Sequence, residues 1–286
     1  MNKEYFDIFA QAISSLYDIG EARYIARIVR EDVFGSSEVL SEKEKILLRE
    51  IQEKLLAGQP IQYILGSADF YGLKLSVNES VLIPRQDTES LVHEVILLAK
   101  AAQSKEKIKI LDIGTGSGCI ALALKKELGR VEMTAIDVSI AALNVARQNN
   151  QEHGLCVQFE QLDILNEANW RRMSKYDIIV SNPPYIPPSE KVLMPDNVQD
   201  NEPELALFVP EEEPMLFYRK IGEFGLGHLA EKGILAFEIN EFRATQTVAI
   251  LEGLGYQSVE VKKDLSGADR VIIATKPFPQ GAKKAL

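Results

Sequence analysis

From residue 1 to about 60 the apolar residues recur at helical spacing. Phe6, Phe9, Ile13 and Leu16 form one such set, Ile25, Ile28 and Val29 a second, and Ile46, Leu47, Ile51 and Leu55 a third. Gly20, the stretch FGSS at 34–37 and the stretch AGQP at 57–60 interrupt the pattern. Ser41, with Glu44 three residues on, offers a capping-box start for the third helix. The pattern predicts a small helical bundle over residues 1–60.

Short apolar runs punctuated by Gly66 and Gly72 follow and predict a hairpin-like linker over 61–84. TESLVHEVILLAKAA then reads as a helix. Beyond about residue 107 the pattern alternates between apolar strand-like runs and helix-like segments. KIKILDIG precedes SGCIALALKKEL, VEMTAID precedes SIAALNVARQNNQEHG, and CVQFEQLD and YDIIVSN follow. After an irregular stretch come the helix-like EPMLFYRKIGEFGLGHLAEKG, then ILAFEIN, RATQTVAILEGLG, YQSVEVKKD and DRVIIATKP. Fully apolar strands alternating with helices predict a mostly parallel sheet covered on both faces. The last two strands are joined only by LSGA, which favours an antiparallel hairpin. This α/β domain is expected over 85–286, with its tail FPQGAKKAL frayed.

Two strand ends carry the candidate chemistry. LDIGTGSGC lies at a strand-to-helix turn, and its Gly114-Thr115-Gly116-Ser117-Gly118 lets the backbone approach a ligand closely. The dinucleotide fingerprint places its third glycine one residue later. An acid precedes the loop, Asp112; Asp137 ends the next strand, and Asp163 the one after. Asp137 is placed to accept hydrogen bonds from both hydroxyls of a ribose. Asp163 is placed to reach an adenine amino group. A ligand with ribose, adenine and an amino-acid end but no pyrophosphate suits this set. S-adenosylmethionine is such a ligand, and dinucleotide binding is the rival reading. The expected sheet is therefore a Rossmann-like methyltransferase sheet, mostly parallel with an antiparallel last strand.

DIIVSNPPYIPP contains the second feature. Asn182 ends the fourth strand of the alternating region, on the edge that carries Gly114, Asp137 and Asp163, so it is expected to face the same ligand. Its side chain holds one acceptor and one donor group. Pro183 lacks an N–H, and Pro183 and Pro184 stiffen the corner. The Asn182 oxygen and a backbone carbonyl at Pro183 could hold both hydrogens of a planar –NH₂ group, with Tyr185 as a flat face beside it. Such acceptors orient an amide or aromatic amine, whose lone pair is delocalised, and stabilise the positive charge that grows on nitrogen during attack.

Composition narrows the picture. The 286 residues are 46% hydrophobic and 26% charged, as in a globular protein. No apolar run reaches the roughly 20 residues that span a bilayer, and the start of the chain lacks a signal-peptide pattern, so a cytoplasmic location is expected. Two cysteines, Cys119 and Cys156, make no disulfide framework, and three unclustered histidines, His93, His153 and His228, predict no metal site. Cys119 reads as a packing residue rather than a nucleophile. A formal net charge of −10 argues against broad binding to a phosphate backbone.

Gly-Thr-Gly-Ser-Gly followed by Asn-Pro-Pro-Tyr resembles the amino methyltransferases, which act on glutamine amides of proteins or on exocyclic amines of bases. GQPIQYILGSADFYGLKLSVNESVLIPRQDTESLV at 58–92, VSNPPYI and LFYRKI resemble the HemK/PrmC family of peptide chain release factor glutamine N5-methyltransferases. The resemblance implies methyl transfer from S-adenosylmethionine to the glutamine amide in the Gly-Gly-Gln loop of bacterial class-one release factors, leaving S-adenosylhomocysteine. It implies donor binding by Gly114 to Gly118 and Asp137, with Asp163 and Ile164 on the adenine side. It implies glutamine binding by Asn182, Pro183, Pro184 and Tyr185, and release-factor binding by the helical domain. Neither a membrane nor a nucleic-acid substrate is expected.

Two stretches depart from the family pattern. Pro84-Arg85-Gln86-Asp87-Thr88-Glu89 stands where Pro-Arg-Pro-Glu-Thr-Glu is usual. Val209-Pro210-Glu211-Glu212-Glu213 stands where relatives often carry a glycine-rich turn. Residues 185–204 read as a hairpin or lid. The alternatives are a ribosomal-protein glutamine methyltransferase, a DNA adenine N6-methyltransferase, which would have to flip its base, and a non-enzymatic adaptor.

Overall fold

The computed structural model describes residues 2–35, 39–102, 107–193 and 201–276. The expected fraying of the tail from Phe278 lies outside these residues, as does the middle of the expected lid. The chain packs as two compact units, one built on Met1–Ser67 and the other on Ala68–Leu193 with Glu202–Leu286.

The first unit is helical: α1 (Asn2–Ile13), α2 (Ile19–Val29), a π-type turn (Arg30–Phe34), α3 (Glu42–Leu56) and α4 (Ile61–Leu65). Asp18 caps α2 by accepting from the N–H groups of Gly20 and Glu21. Ser41 and Glu44 form the expected capping box: the Ser41 hydroxyl accepts from the Glu44 N–H at 3.3 Å, and the Ser41 N–H donates to Glu44 Oε2 at 2.7 Å. Phe6, Phe9, Ile13, Ile25, Val29, Leu48, Ile51 and Leu55 meet in one core. Leu16, Ile46 and Leu47 are exposed, against expectation. On α3 the stripe passes through Leu48, Ile51 and Leu55 instead, which keeps the 3–4 residue spacing but shifts its start. Ile61–Leu65 is a helical turn rather than a strand. Ile61 joins the helical core, and Gly66, in the left-handed region at φ 70°, ends the turn.

In the second unit β1 (Ser67–Phe70) and β2 (Leu73–Ser76) form a hairpin. Its turn forces Tyr71 to φ 46°, and the Glu89 carboxylate accepts from the Tyr71 N–H at 2.7 Å. Helix α5 (Gln86–Ala101) follows, then a seven-stranded sheet. Its strands are β3 (Lys109–Ile113), β4 (Glu132–Asp137), β5 (Val157–Gln161), β6 (Tyr176–Ser181), β7 (Leu229–Glu238), β8 (Gln257–Lys263) and β9 (Asp269–Thr275), in the order β5-β4-β3-β6-β7-β9-β8. All pairs from β5 to β7 are parallel, and β9 runs antiparallel between β7 and β8. The short LSGA link thus does make the expected hairpin.

Alternation along the strands sorts side chains to two faces. Ile110, Ile178 and Val180 pack with α5 and with α6 (Cys119–Leu128). Leu111 and Ile179 pack with α9 (Leu216–His228) and α10 (Ala244–Gly253). Helix α7 (Ile140–Glu152) packs against β4 and β5, and α8 is the short turn Glu204–Leu207. Residues 229–233, which read as the end of a helix, open β7 instead. Lys232 at φ 61° and a register shift opposite β6 absorb the irregularity.

Replacing Ser41 by Ala removes the cap of α3 and is expected to cost about 1 kcal/mol. Urea unfolding followed by the helical circular dichroism signal checks this; a change below about 0.3 kcal/mol would count against the cap.

Candidate functional site

Strand β3 lies between β4 and β6, so the chain reverses its direction of winding beside it. Open α/β sheets bind ligands at such a point, beyond the carboxyl ends of the strands. A cleft of about 260 Å³ lies there. The structure brings Gly114, Gly116, Asp137, Asp163, Ile164, Asn182, Pro183 and Pro184 together along it. Ser80, Val81, Leu82, Phe217 and Ile221 complete much of the wall and were not foreseen.

Gly114 and Gly116 line the cleft with positive φ, and a Cβ built on either would meet no atom within 4 Å. Both would project into open space, so the loop lets a ligand lie directly on backbone. Gly118 serves packing: its Cβ would sit 3.1 Å from Leu122 and 3.2 Å from Ala146. Thr115 and Ser117 are buried and do not line the cleft. The Thr115 hydroxyl donates to Asp112 Oδ2 at 2.6 Å. Asn149 on α7, fully buried, donates to the carbonyls of Ser117 and Ser76 and accepts from the Ser76 N–H.

Asp137 accepts from the Gly116 N–H at 2.9 Å through one oxygen and from the Ser139 N–H at 2.9 Å through the other. Burial raises its carboxyl, and these backbone bonds oppose the rise. Each oxygen keeps a second acceptor position. Asp163 lies two residues beyond β5, fixed by the bond from the Leu165 N–H to its Oδ1. Among the described residues lining the cleft, Asp137 and Asp163 are the charged ones. A cleft with carboxylates and no cation suits a positively charged sulfonium and a ribose. It suits a pyrophosphate poorly. The open backbone cradle and the acidic wall therefore fit S-adenosylmethionine.

Asn182 immediately follows β6. The Ser181 hydroxyl ties this corner to β3 by donating to the Ile113 carbonyl at 2.7 Å. Asn182 Nδ2 donates to Thr88 Oγ1 of α5 at 3.3 Å. Tyr185 does not line the cleft. It packs against the α9 side of the core, and burial, with Glu238 nearby, pushes its phenol up to about 12. Beyond it, Ile186 pairs with Phe208, closing the excursion between β6 and α9. Desolvation, with Asp112 nearby, pushes the Cys119 thiol up to about 12, which disfavours the reactive thiolate. Among the described residues no cluster of His, Cys, Asp or Glu is placed to hold a metal, and no helix is long and apolar enough to cross a membrane.

A methyltransferase small-domain family model matches residues 94–194. A release factor glutamine methyltransferase of Flavobacterium psychrophilum is 40% identical over 94% of this chain and 97% of its own. One of Bacteroides thetaiotaomicron is 39% identical over 93% of this chain and 97% of its own. The chain belongs to the release factor glutamine methyltransferase family. Its fold is shared with a methyltransferase from Pyrococcus furiosus, at 20% identity and a TM-score of 0.52 over 80% of this chain and 99% of that one.

Four side chains of the family signature at 85–89 have a use that sequence reasoning did not supply. Arg85 pairs with buried Glu202, which also accepts from the Ile83 N–H. Asp87 pairs with Arg270 at 3.1 Å. Thr88 holds Asn182, and Glu89 holds the Tyr71 turn. The proline this chain lacks would fall at Gln86, the first residue of α5. Proline is favoured there because its missing N–H has no helical partner and its φ is preset for the helix; glutamine, a good helix former, is accommodated in its place. Of the family's variable turn, Glu211 binds the N–H and hydroxyl of Ser189, and Glu213 pairs with Arg219.

Desolvation pushes the buried carboxyls of Asp112 and Glu238 up to about 7. An acid whose folded pKa exceeds its unfolded one contributes stability below the unfolded value. That contribution is lost as pH rises through the folded value. These two groups therefore lower stability between about pH 4 and about pH 7. Asp112→Asn, which cannot ionise, is expected to flatten that fall. Urea midpoints of both proteins across this range check it, and an unchanged slope would contradict it.

Proposed function

We propose that this protein transfers a methyl group from S-adenosylmethionine to the side-chain amide nitrogen of the glutamine in the Gly-Gly-Gln loop of a bacterial class-one release factor. The observation that carries the reading is the placement of Asn182. Its Nδ2 is engaged by Thr88, and it lies in one cleft with Gly114, Asp137 and Asp163. S-adenosylhomocysteine is the product.

The donor supplies an electrophilic methyl on a positively charged sulfur. The loop backbone at Gly114 and Gly116, with Asp137, holds its amino-acid and ribose parts, and Asp163 and Ile164 border its adenine. Asn182 Oδ1 and the Pro183 carbonyl accept the two N–H bonds of the glutamine amide. They orient its nitrogen and return electron density to it. As nitrogen gains positive charge the same two dipoles stabilise it. Proline at 183 and 184 keeps the acceptors from moving away. A proton leaves after attack, so no strong base is needed beforehand. Pro184 and Tyr185 stiffen and back this corner.

The helical unit is read as the release-factor binding domain (1–60), joined through 61–84 to a catalytic domain (85–286). A protein partner in translation implies a cytoplasmic enzyme. The −10 net charge and the absence of a lining cation in the described cleft favour a protein substrate over DNA.

Asn182→Ala is expected to lower transfer at least about a hundredfold while donor affinity stays within a few fold. Labelled S-adenosylmethionine offered with release factor, ribosomal protein or DNA reads the first, and calorimetry the second. Label on DNA alone, or on nothing, would sink the proposal; undiminished activity in the variant would sink the mechanism.

A further inference from the structure

We propose that Glu202 and Arg85 form a clasp that sets the position of the cleft wall beside the amide corner, which makes them positioning residues for methyl transfer. The inference rests on the reading of the Asn182 corner as the acceptor for the glutamine amide.

Two stretches of the cleft wall come from distant parts of the chain. Ser80, Val81 and Leu82 precede α5, and Pro203, Leu205 and Ala206 belong to the turn at α8. Neither stretch lies in the seven-stranded sheet. Glu202 joins them. Its Oε2 accepts from the Ile83 N–H at 3.2 Å, and its Oε1 accepts from Arg85 Nη2. The Glu202 side chain is 1% exposed, whereas that of Arg85 is 39% exposed. Ile83 is buried outside any strand, so its N–H needs an acceptor that no ladder supplies. A carboxylate offers an acceptor on each arm. A glutamine would turn its NH₂ towards one of the two donors and leave that donor without a partner. Ile83 precedes Pro84 and Glu202 precedes Pro203, and the residue before a proline is held in extended geometry. The clasp therefore closes between two stiff pieces of backbone.

The other end of this wall is tied to the amide corner. Ile186, which directly follows Tyr185, donates its N–H to the Leu207 carbonyl at 3.1 Å, and its carbonyl accepts from the Val209 N–H at 2.9 Å. The corner, α8 and the stretch before α5 thus form one bonded run. The sheet fixes the run at Asn182, just past β6, and the clasp fixes its far end. Apolar residues would hold the pieces together as firmly. Two directional bonds to one carboxylate also fix how the pieces are aligned. The donor lies against Gly114, Gly116 and Asp137, which follow or end β3 and β4 and make no bond to the clasp. Loss of the clasp therefore displaces what flanks the acceptor amide and spares the donor. Transfer between two aligned groups loses rate steeply on small misplacement.

Glu202→Gln and Arg85→Ala are each expected to lower the single-turnover rate of methyl transfer, from labelled donor to a saturating purified release factor, by about tenfold to a hundredfold. Donor affinity, read by calorimetry, should stay within a few fold. Arg85→Lys, which keeps the charge but not the planar fork, should recover part of the loss. The double variant should be little slower than either single one, because both substitutions remove the same clasp. Arg85 lies partly in solvent, so its variants carry the test if Glu202→Gln does not fold. An Arg85→Ala enzyme as fast as wild type, losses that multiply in the double variant, or a donor affinity that falls as far as the rate overturns the clasp. A wild type that leaves the glutamine unmethylated overturns the reading beneath it, and the clasp too.

Discussion

The catalytic unit depends on the parallel pairing of β3 with β4 on one side and β6 on the other. Parallel pairing aligns carboxyl ends, so Ile113, Asp137 and Ser181 finish at one edge, and each strand passes directly into a loop of different chemistry. The Ser181 hydroxyl bond to the Ile113 carbonyl locks two of those ends together. Both faces of the sheet are covered by helices, which leaves this edge as the place where polar backbone can meet a ligand. The glycine loop and the amide corner need no direct contact with each other; the sheet registers them.

Much of this was legible from the chain. Fully apolar β-branched runs read correctly as buried parallel strands, because burial on both faces removes polar alternation. Gly114, Asp137, Asp163 and Asn182 could be placed on one edge because each lies at or just past the end of a strand in an alternating pattern. Local patterning failed where tertiary contacts decide. Ile61–Leu65 is too short for its period to tell helix from strand, and the helical core chose. Residues 229–233 continue a helical composition, yet they are drawn into β7. On α3, periodicity gave the correct spacing with the stripe starting at the wrong residue.

Beyond the unforeseen residues of the cleft wall, sequence reasoning missed residues that act on others across long separations. Thr88 meets Asn182 from 94 positions away, and Glu202 meets Arg85 from 117. No local spacing encodes such pairs. Tyr185, expected as a flat face beside the polar corner, is half-buried and packs against the α9 side of the core.

Asn149 joins two parts that look unrelated in sequence. One side chain, without exposure to solvent, bonds the backbone of Ser76 at the end of the β-hairpin and the backbone of Ser117 in the glycine loop. Releasing either partner would strand buried polar groups, so local opening of one segment raises the free energy of the other. The hairpin and the glycine loop are thus coupled through one buried side chain. Solvent exchange at the Ser76 amide, remote from the chemistry in the chain, becomes a gauge of how often the loop at Ser117 comes undone.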